Sequence, residues 1–251
     1  MRLDRILRYP IKSLSVESLT HADLTPGQGL PYDRKWALAR PDGEAANNTD
    51  WHPKSNFLVL ARDYDIAQVK SHFDELSGRL SFEAPNELHG EGLLSTEQGR
   101  AAIAGGIAKH LGLDDSGTPI LVEAKDIGYF DTTEGPVSLL NMASVRDLEK
   151  VMGQNIDPVR FRMNLILEDL EPWTERDWVG KRIKIGDVIL DVSQDTGRCI
   201  ATHINPDSGE KDAKVLHALK DNFGHTNMGI YAKVVEGGTI RPGDCVNLLD
   251  T

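Results

Sequence analysis

Residues 195–209 read DTGRCIATHINPDSG, a thiol placed directly after an arginine and ahead of a polar Asn-Pro-Asp-Ser-Gly turn. Positive charge beside a thiol favours the thiolate, and soft sulfur of that kind suits a transition metal. Free cysteine is also among the most buried residue types, acting as a small hydrophobe. Cys199 alone leaves both readings open. The run 198–204 reads as a strand, which puts His203 on the same face as Cys199. Four residues of extended chain span about 13 Å, too far for a Cys–His nucleophile pair unless the strand bends.

Outward from that run, the C-terminal half reads as further short strands. They are VRFRMNLIL (159–167), KRIKIGDVILDVS (181–193), GIYAKVV (229–235) and CVNLL (245–249), separated by turns at Gly237-Gly238 and Arg241-Pro242-Gly243-Asp244. Such spacing suggests a barrel rather than a βαβ array. If 159–167 is extended, Arg160, Arg162 and Asn164 share one face and Val159, Phe161, Met163 and Leu165 the other. Neighbouring guanidinium forks suit a phosphate or carboxylate; a solvent face paired with acids such as Glu168 is the other reading.

The N-terminal half carries a predicted strand from Leu3 to Tyr9 that stops at Pro10, and a second from Lys35 to Arg40 before the Pro41-Asp42-Gly43 turn. Residues 67–85 alternate on both sides of DELSG and predict a hairpin, with a helix over 66–76 as the alternative. Three helices are expected. The first follows Ser95, in capping-box spacing to Gln98, and stops at Gly112; the second runs from an Asn141 cap to Gly153; the third lies in 213–223 and ends at Gly224. The exposed DDSGT connection at 114–118 divides the chain into 1–117 and 118–251. Two basic spots stand in the first part: Lys12 and Ser13 in YPIKSL, where a strand ends, and Arg34 in YDRKW.

The chain has 251 residues, with 28 Lys+Arg against 39 Asp+Glu and a net charge of −11. That balance opposes general attraction to nucleic acid or anionic membranes, so an anionic ligand must be held by a local basic cluster. Two cysteines, Cys199 and Cys245, make no disulfide framework. The charged start MRLDRILRYP does not suit a signal peptide. Apolar runs such as 57–61 and 165–167 fall far short of the roughly 20 residues that span a bilayer. A cytoplasmic protein without a membrane segment is expected. No CxxC, HExxH, P-loop or helix-opening GxGxxG is present, so zinc and nucleotide-cofactor readings lack their usual support.

In their order along the chain, YPIKSL, YDRKWAL, DTTEGPVSLLNMASVRDL, FRMNLIL, WVGKRIKIGD, GRCIATHINPDSG and MGIYAKVVEGGTIRPGD resemble the MOSC family. The branch of amidoxime-reducing proteins, with an N-terminal β-barrel-like domain, is the nearer resemblance. It implies a mainly β fold with α (α+β), in which a smaller strand-rich domain precedes a MOSC-type β-barrel. It further implies a molybdenum cofactor (Mo-molybdopterin) between the domains. Cys199 would be the metal ligand and catalytic residue, with Lys12, Ser13, Arg34, Arg162 and Asn164 holding phosphate and pterin and Arg198 and Tyr231 nearby. Gly197 stands where relatives often carry a hydroxyl residue, and Cys245 reads as structural.

The implied activity is reduction of small N-hydroxylated compounds such as amidoximes, hydroxylamines or N-hydroxylated bases. Electrons would come from a separate flavin or iron–sulfur protein, since the sequence ends without a cysteine-rich ferredoxin-like segment. The alternative is a carrier that holds the cofactor, or a sulfane sulfur on Cys199, without turnover of its own.

Overall fold

Most of the alternating segments pair into sheets in the computed structural model, which describes residues 1–133 and 136–249. An eight-stranded mixed sheet runs, in spatial order, Val246–Leu248, Arg182–Ile185, Val188–Gly197, Asn227–Glu236, Val137–Asn141, Leu165–Glu168, Arg2–Arg8 and Glu17–Leu19. The start of the chain is therefore an inner strand of this sheet, antiparallel to Leu165–Glu168. Leu3 and Ile6 are fully buried there with Leu139, Leu165, Leu190 and Ile230, and burial of several such side chains at about 1.5–3 kcal/mol each holds the register.

The rest of the first half builds small sheets around a second core. Lys70–Asp74, Arg79–Ala84 and Leu88–Leu93 form a three-stranded meander, so the hairpin prevails over the helix, and only 64–68 coils as a short 3-10 turn. Beyond the turn at 114–118, Ile120–Glu123 pairs back onto Trp36–Ala39. The fold class is mainly β with α, as expected. No helix among the described residues is long and apolar enough to cross a membrane.

Helix α1 (Glu97–His110) is capped by Thr96, whose hydroxyl accepts from Gly99 N at 3.0 Å; the cap is thus one residue beyond the expected Ser95. Its Gly106 permits close approach to the meander, because a Cβ there would stand 2.3 Å from the Phe82 ring. Helix α2 (Met142–Met152) begins at Asn141, which accepts from Ala143 N at 2.9 Å, and stops at left-handed Gly153. Helix α3 (Val215–Phe223) stops at Gly224 in the same way. Both stops match the expectation.

Two predicted strands are corrected. Pro158–Phe161 is a 3-10 turn, capped by Asp157 accepting from Val159 N at 2.8 Å, and Arg162 follows with φ 50°. Pro158 presets the turn, and pairing begins only at Leu165, so Arg160, Arg162 and Asn164 do not share a strand face. The second correction is 198–204: Cys199 is extended, but Ile200–His203 is a 3-10 turn. The Thr202 hydroxyl donates back to Cys199 O at 2.9 Å, and His203 Nε2 accepts from Leu216 N at 3.1 Å. His203 serves the start of α3 and is no partner of the thiol.

Candidate functional site

Three side chains leave the backbone where non-glycine residues rarely sit: Ser13 (φ 71°), Arg34 (φ 51°) and Arg162 (φ 50°). Each left-handed position costs about 1–2 kcal/mol, and strain of this kind collects at functional sites. All three line one cavity of about 810 Å3, mouth included. Backbone bonds fix Arg34, Arg162 and Lys12, the residue before Ser13. Arg34 N donates to Tyr9 O at 2.7 Å, Arg162 N to Val159 O at 2.9 Å, and Lys12 N to Trp36 O at 2.8 Å.

The cavity wall is cationic in an acidic protein. Lys12, Arg34, Lys54, Arg160, Arg162 and Arg198 line it, against Asp131 as the carboxylate among the described lining residues. Lys12 donates to Asp131 at 2.6 Å and to Tyr129 O at 2.8 Å, and Lys54 stands 3.8 Å from Asp131. Arg34 pairs with Asp33, and Arg160 with Asp212 at 2.7 Å. Among the described residues no carboxylate pairs with Arg162 or Arg198. Arg162 donates to Leu14 O at 2.8 Å, and Arg198 to Phe161 O and the Met163 sulfur.

Burial makes this arrangement costly without a ligand. It pushes Arg162 down to about 10, with Arg34 adding to the shift. It also lowers Lys12, with Asp131 opposing, and lowers Arg198. Arg34 feels the same penalty, but Asp33, Tyr9 and Tyr231 together outweigh it and the net shift is upward. Arg160 Nε and Nη1, Arg162 Nη2 and Arg198 Nε are buried without a hydrogen-bond acceptor, and each such group costs about 1–3 kcal/mol. An anion placed among them removes both penalties.

Cys199 and Tyr231 line the same cavity, so the structure brings Lys12, Ser13, Arg34, Arg162, Arg198, Cys199 and Tyr231 together. Asn164 is not among the lining residues. It is buried behind the wall, accepting from the Ser138 hydroxyl at 2.7 Å and donating to Leu7 O at 3.1 Å and Asp33 at 3.0 Å. It positions the carboxylate that orients Arg34. Sequence reasoning missed Lys54, Asp131 and Asp33 as parts of the site. Asp33 stands beside Arg34 and Asp131 opens a recognised motif, but no local pattern marks Lys54. Glu134 and Gly135 of that motif lie outside the described residues.

Cys245, read as structural, has an exposed side chain. At Gly197 a Cβ would meet only Asn227 Oδ1, at 3.7 Å, so the backbone leaves room for a hydroxyl side chain there. Among the described residues no three His, Cys, Asp or Glu side chains gather to hold a metal. A metal on Cys199 would draw its remaining ligands from the group that carries it. An anionic group bearing a thiophilic metal fits these donors: a thiol on the wall and unpartnered guanidinium N–H groups around it.

The family described as MOSC domain matches residues 108–247, and the one described as MOSC N-terminal beta barrel domain matches 1–103. Molybdenum cofactor sulfurase of Drosophila mojavensis is 26% identical over 254 residues, covering 92% of this chain and 31% of that protein. Mitochondrial amidoxime-reducing component 1 of Homo sapiens is 32% identical over 142 residues, covering 51% of this chain and 41% of that protein. The chain thus spans about a third of the length of the sulfurase and the matched part about two fifths of the amidoxime-reducing component.

Proposed function

The chain belongs to the MOSC domain family, and from that premise we propose that it is a molybdenum-cofactor enzyme that reduces small N-hydroxylated compounds. The observation that carries the reading is the cavity where Arg162 and Arg198 face inward without a carboxylate partner, beside Cys199. Similarity to molybdenum cofactor sulfurases and to an amidoxime-reducing component supports it.

In this reading Cys199 Sγ is the protein's ligand to the metal. Lys12, Ser13, Arg34 and Arg162 bind the phosphate and the polar edge of the pterin, and Asn164 and Asp33 hold Arg34 in place. When bound, the cofactor supplies a two-electron redox centre. The reaction breaks the N–O bond: R–NHOH, two electrons and two protons give R–NH2 and water, with the electrons from a separate flavin or iron–sulfur protein. Arg198 stands next to the thiol and lends it positive charge. Cys199 is half-buried, so its sulfur is open to the cavity it lines.

The test is elemental analysis of protein from a host that makes the cofactor, with Cys199→Ala in parallel, followed by an amidoxime assay with a reduced dye. Near-stoichiometric molybdenum and N–O reduction in the wild type, both absent in the variant, is the expected result; no molybdenum in either overturns the reading. A carrier role is the second reading, favoured by the sulfurase similarity over 92% of the chain. Retained molybdenum without turnover, or a persulfide on Cys199, would select it.

A further inference from the structure

Arg160 lines the cavity that holds Cys199, yet it serves neither the thiol nor the groups assigned to phosphate and pterin. It is 7% exposed. Its Nη2 donates to Asp212 at 2.7 Å, while Nε and Nη1 are buried with no acceptor. The root of the side chain is fixed in the turn Pro158–Phe161, where Arg160 N donates to Asp157 O at 3.1 Å. Burying a guanidinium against one carboxylate and leaving two of its nitrogens bare is costly. An oxyanion ligand relieves that cost.

Arg160 also stands at a junction. A second chamber adjoins the first, and Ser13, Leu60, Arg160, Arg162 and Ala201 line both, whereas Cys199 lines only the first. Ala201 follows Cys199 by two residues, so a molecule that reaches the thiol can extend past a methyl group toward Arg160. Val16, Val159 and Pro206 give the second chamber an apolar wall. Its other charges are largely occupied: Lys70 pairs with Asp207 at 2.5 Å, and Asp157 accepts from Val159 N at 2.8 Å. A doubly charged phosphate would meet Asp157, Asp207 and Asp212 at twice the repulsion felt by a carboxylate. A single negative charge on an apolar body suits the junction better.

We propose that Arg160 is a specificity-determining residue that binds a carboxylate carried by the substrate. The N–O group lies toward Cys199, the apolar body passes Ala201, and the carboxylate meets Arg160. The substrate class narrows to N-hydroxylated compounds with a carboxylate a few bonds from the N–O group. The carboxylate is held and not transformed. This rests on the reductase reading and deepens it.

The test compares benzamidoxime with meta-carboxybenzamidoxime on the molybdenum-loaded protein, using a reduced dye. Calorimetry in parallel measures binding of the two reduction products, benzamidine and meta-carboxybenzamidine. In the wild type the carboxylated compound should win about tenfold, both in kcat/KM and in affinity. Arg160→Gln should bring both ratios to about one with its molybdenum retained. Asp212→Asn removes the carboxylate that competes for the guanidinium and should raise both ratios about two- to fivefold, a gain that a damaged fold does not produce.

A wild-type ratio of one or below, or a preference that survives in Arg160→Gln, overturns the proposal and leaves the reductase reading standing. Loss of molybdenum from Arg160→Gln would place the residue in the cofactor site and also overturn it. Turnover of neither compound by the loaded wild type overturns the reductase reading, and the substrate assignment with it.

Discussion

The guanidinium carbon of Arg162 stands 4.2 Å from the ring centroid of Tyr9, and that of Arg34 stands 4.8 Å from the same ring. Tyr9 is fully buried, and its phenol is pushed up to about 12 by burial, against the two arginines, so it remains a neutral ring. Two like charges share one aromatic ring, whose attraction for both offsets part of their repulsion. Arg34 also donates to Arg162 O at 2.6 Å, which links the two residues directly.

Replacing Tyr9 by Leu should therefore loosen both guanidiniums and weaken anion binding about tenfold, while Tyr9→Phe keeps the ring and most of the affinity. Calorimetry with sulfate at constant ionic strength checks this. Equal losses in both variants would place the effect in the phenol oxygen, whose bond to Met163 O is a long 3.4 Å.

Cys199 is half-buried and free, so truncation to Ala should remove the metal without removing the fold. The thermal midpoint of the variant should stay within about 3 °C of the metal-free wild type. Molybdenum content and differential scanning calorimetry report the two effects separately.

Arg162, pushed down to about 10 by burial and then by Arg34, sets a pH dependence with a definite sign. An anion binds the charged form, so affinity should fall as pH rises through about 10. Stability of the ligand-free protein should move the other way. Above about 10, up to the ordinary arginine value, the unfolded chain holds the proton that the folded one has released, so stability rises with pH across that window. Arg162→Gln should lack both trends, and the difference between wild type and variant in anion titration and urea unfolding from pH 8 to 11 measures them.

Asp131 is held below the usual carboxylate range: burial opposes, but Lys12 and its hydrogen bond prevail. It competes with an incoming anion for Lys12. Asp131→Asn should raise sulfate affinity about two- to fivefold, a modest gain because the carboxylate is half exposed. A loss of affinity would mean that Asp131 serves the site chiefly by orienting Lys12.

Glu175 has no exposed surface. It accepts from Asn141 Nδ2 at 2.8 Å and from the Ser144 hydroxyl at 2.8 Å, joining the start of α2 to the 3-10 turn Thr174–Trp178. Burial raises its pKa above the ordinary 4.5, with the hydrogen bonds opposing. A raised folded value means that its contribution is fully present below 4.5 and is lost as pH rises through the folded value. Glu175→Gln should flatten that decline in unfolding midpoints measured from pH 4 to 8.

Period-two alternation identified the hairpin within 67–85, because burial on one face of a sheet writes itself into neighbouring residues, and Pro and Gly punctuation marked the strand that ends at Pro10 and the C-terminal strands at 182–197, 227–236 and 246–248. Asn141, Gly153 and Gly224 marked helix ends for an equally local reason: a cap or a left-handed stop needs one residue type at one place. The order of short motifs carried the family. The sequence by itself thus determined the fold class, most elements and the identity of the basic residues.

Tertiary structure decided where those basic residues point. The left-handed backbones of Ser13, Arg34 and Arg162 and the 3-10 turns at 158–161 and 200–203 break the strand pattern at the site, so alternation placed Asn164 and His203 on the wrong faces. Asn164 became a buried clamp on Asp33, and Arg160 a wall between two chambers. Lys54 entered from a distant loop that no spacing relates to Cys199. Local sequence records which face of an element is buried, whereas convergence of charges from separate segments depends on packing between elements, which only the folded chain contains.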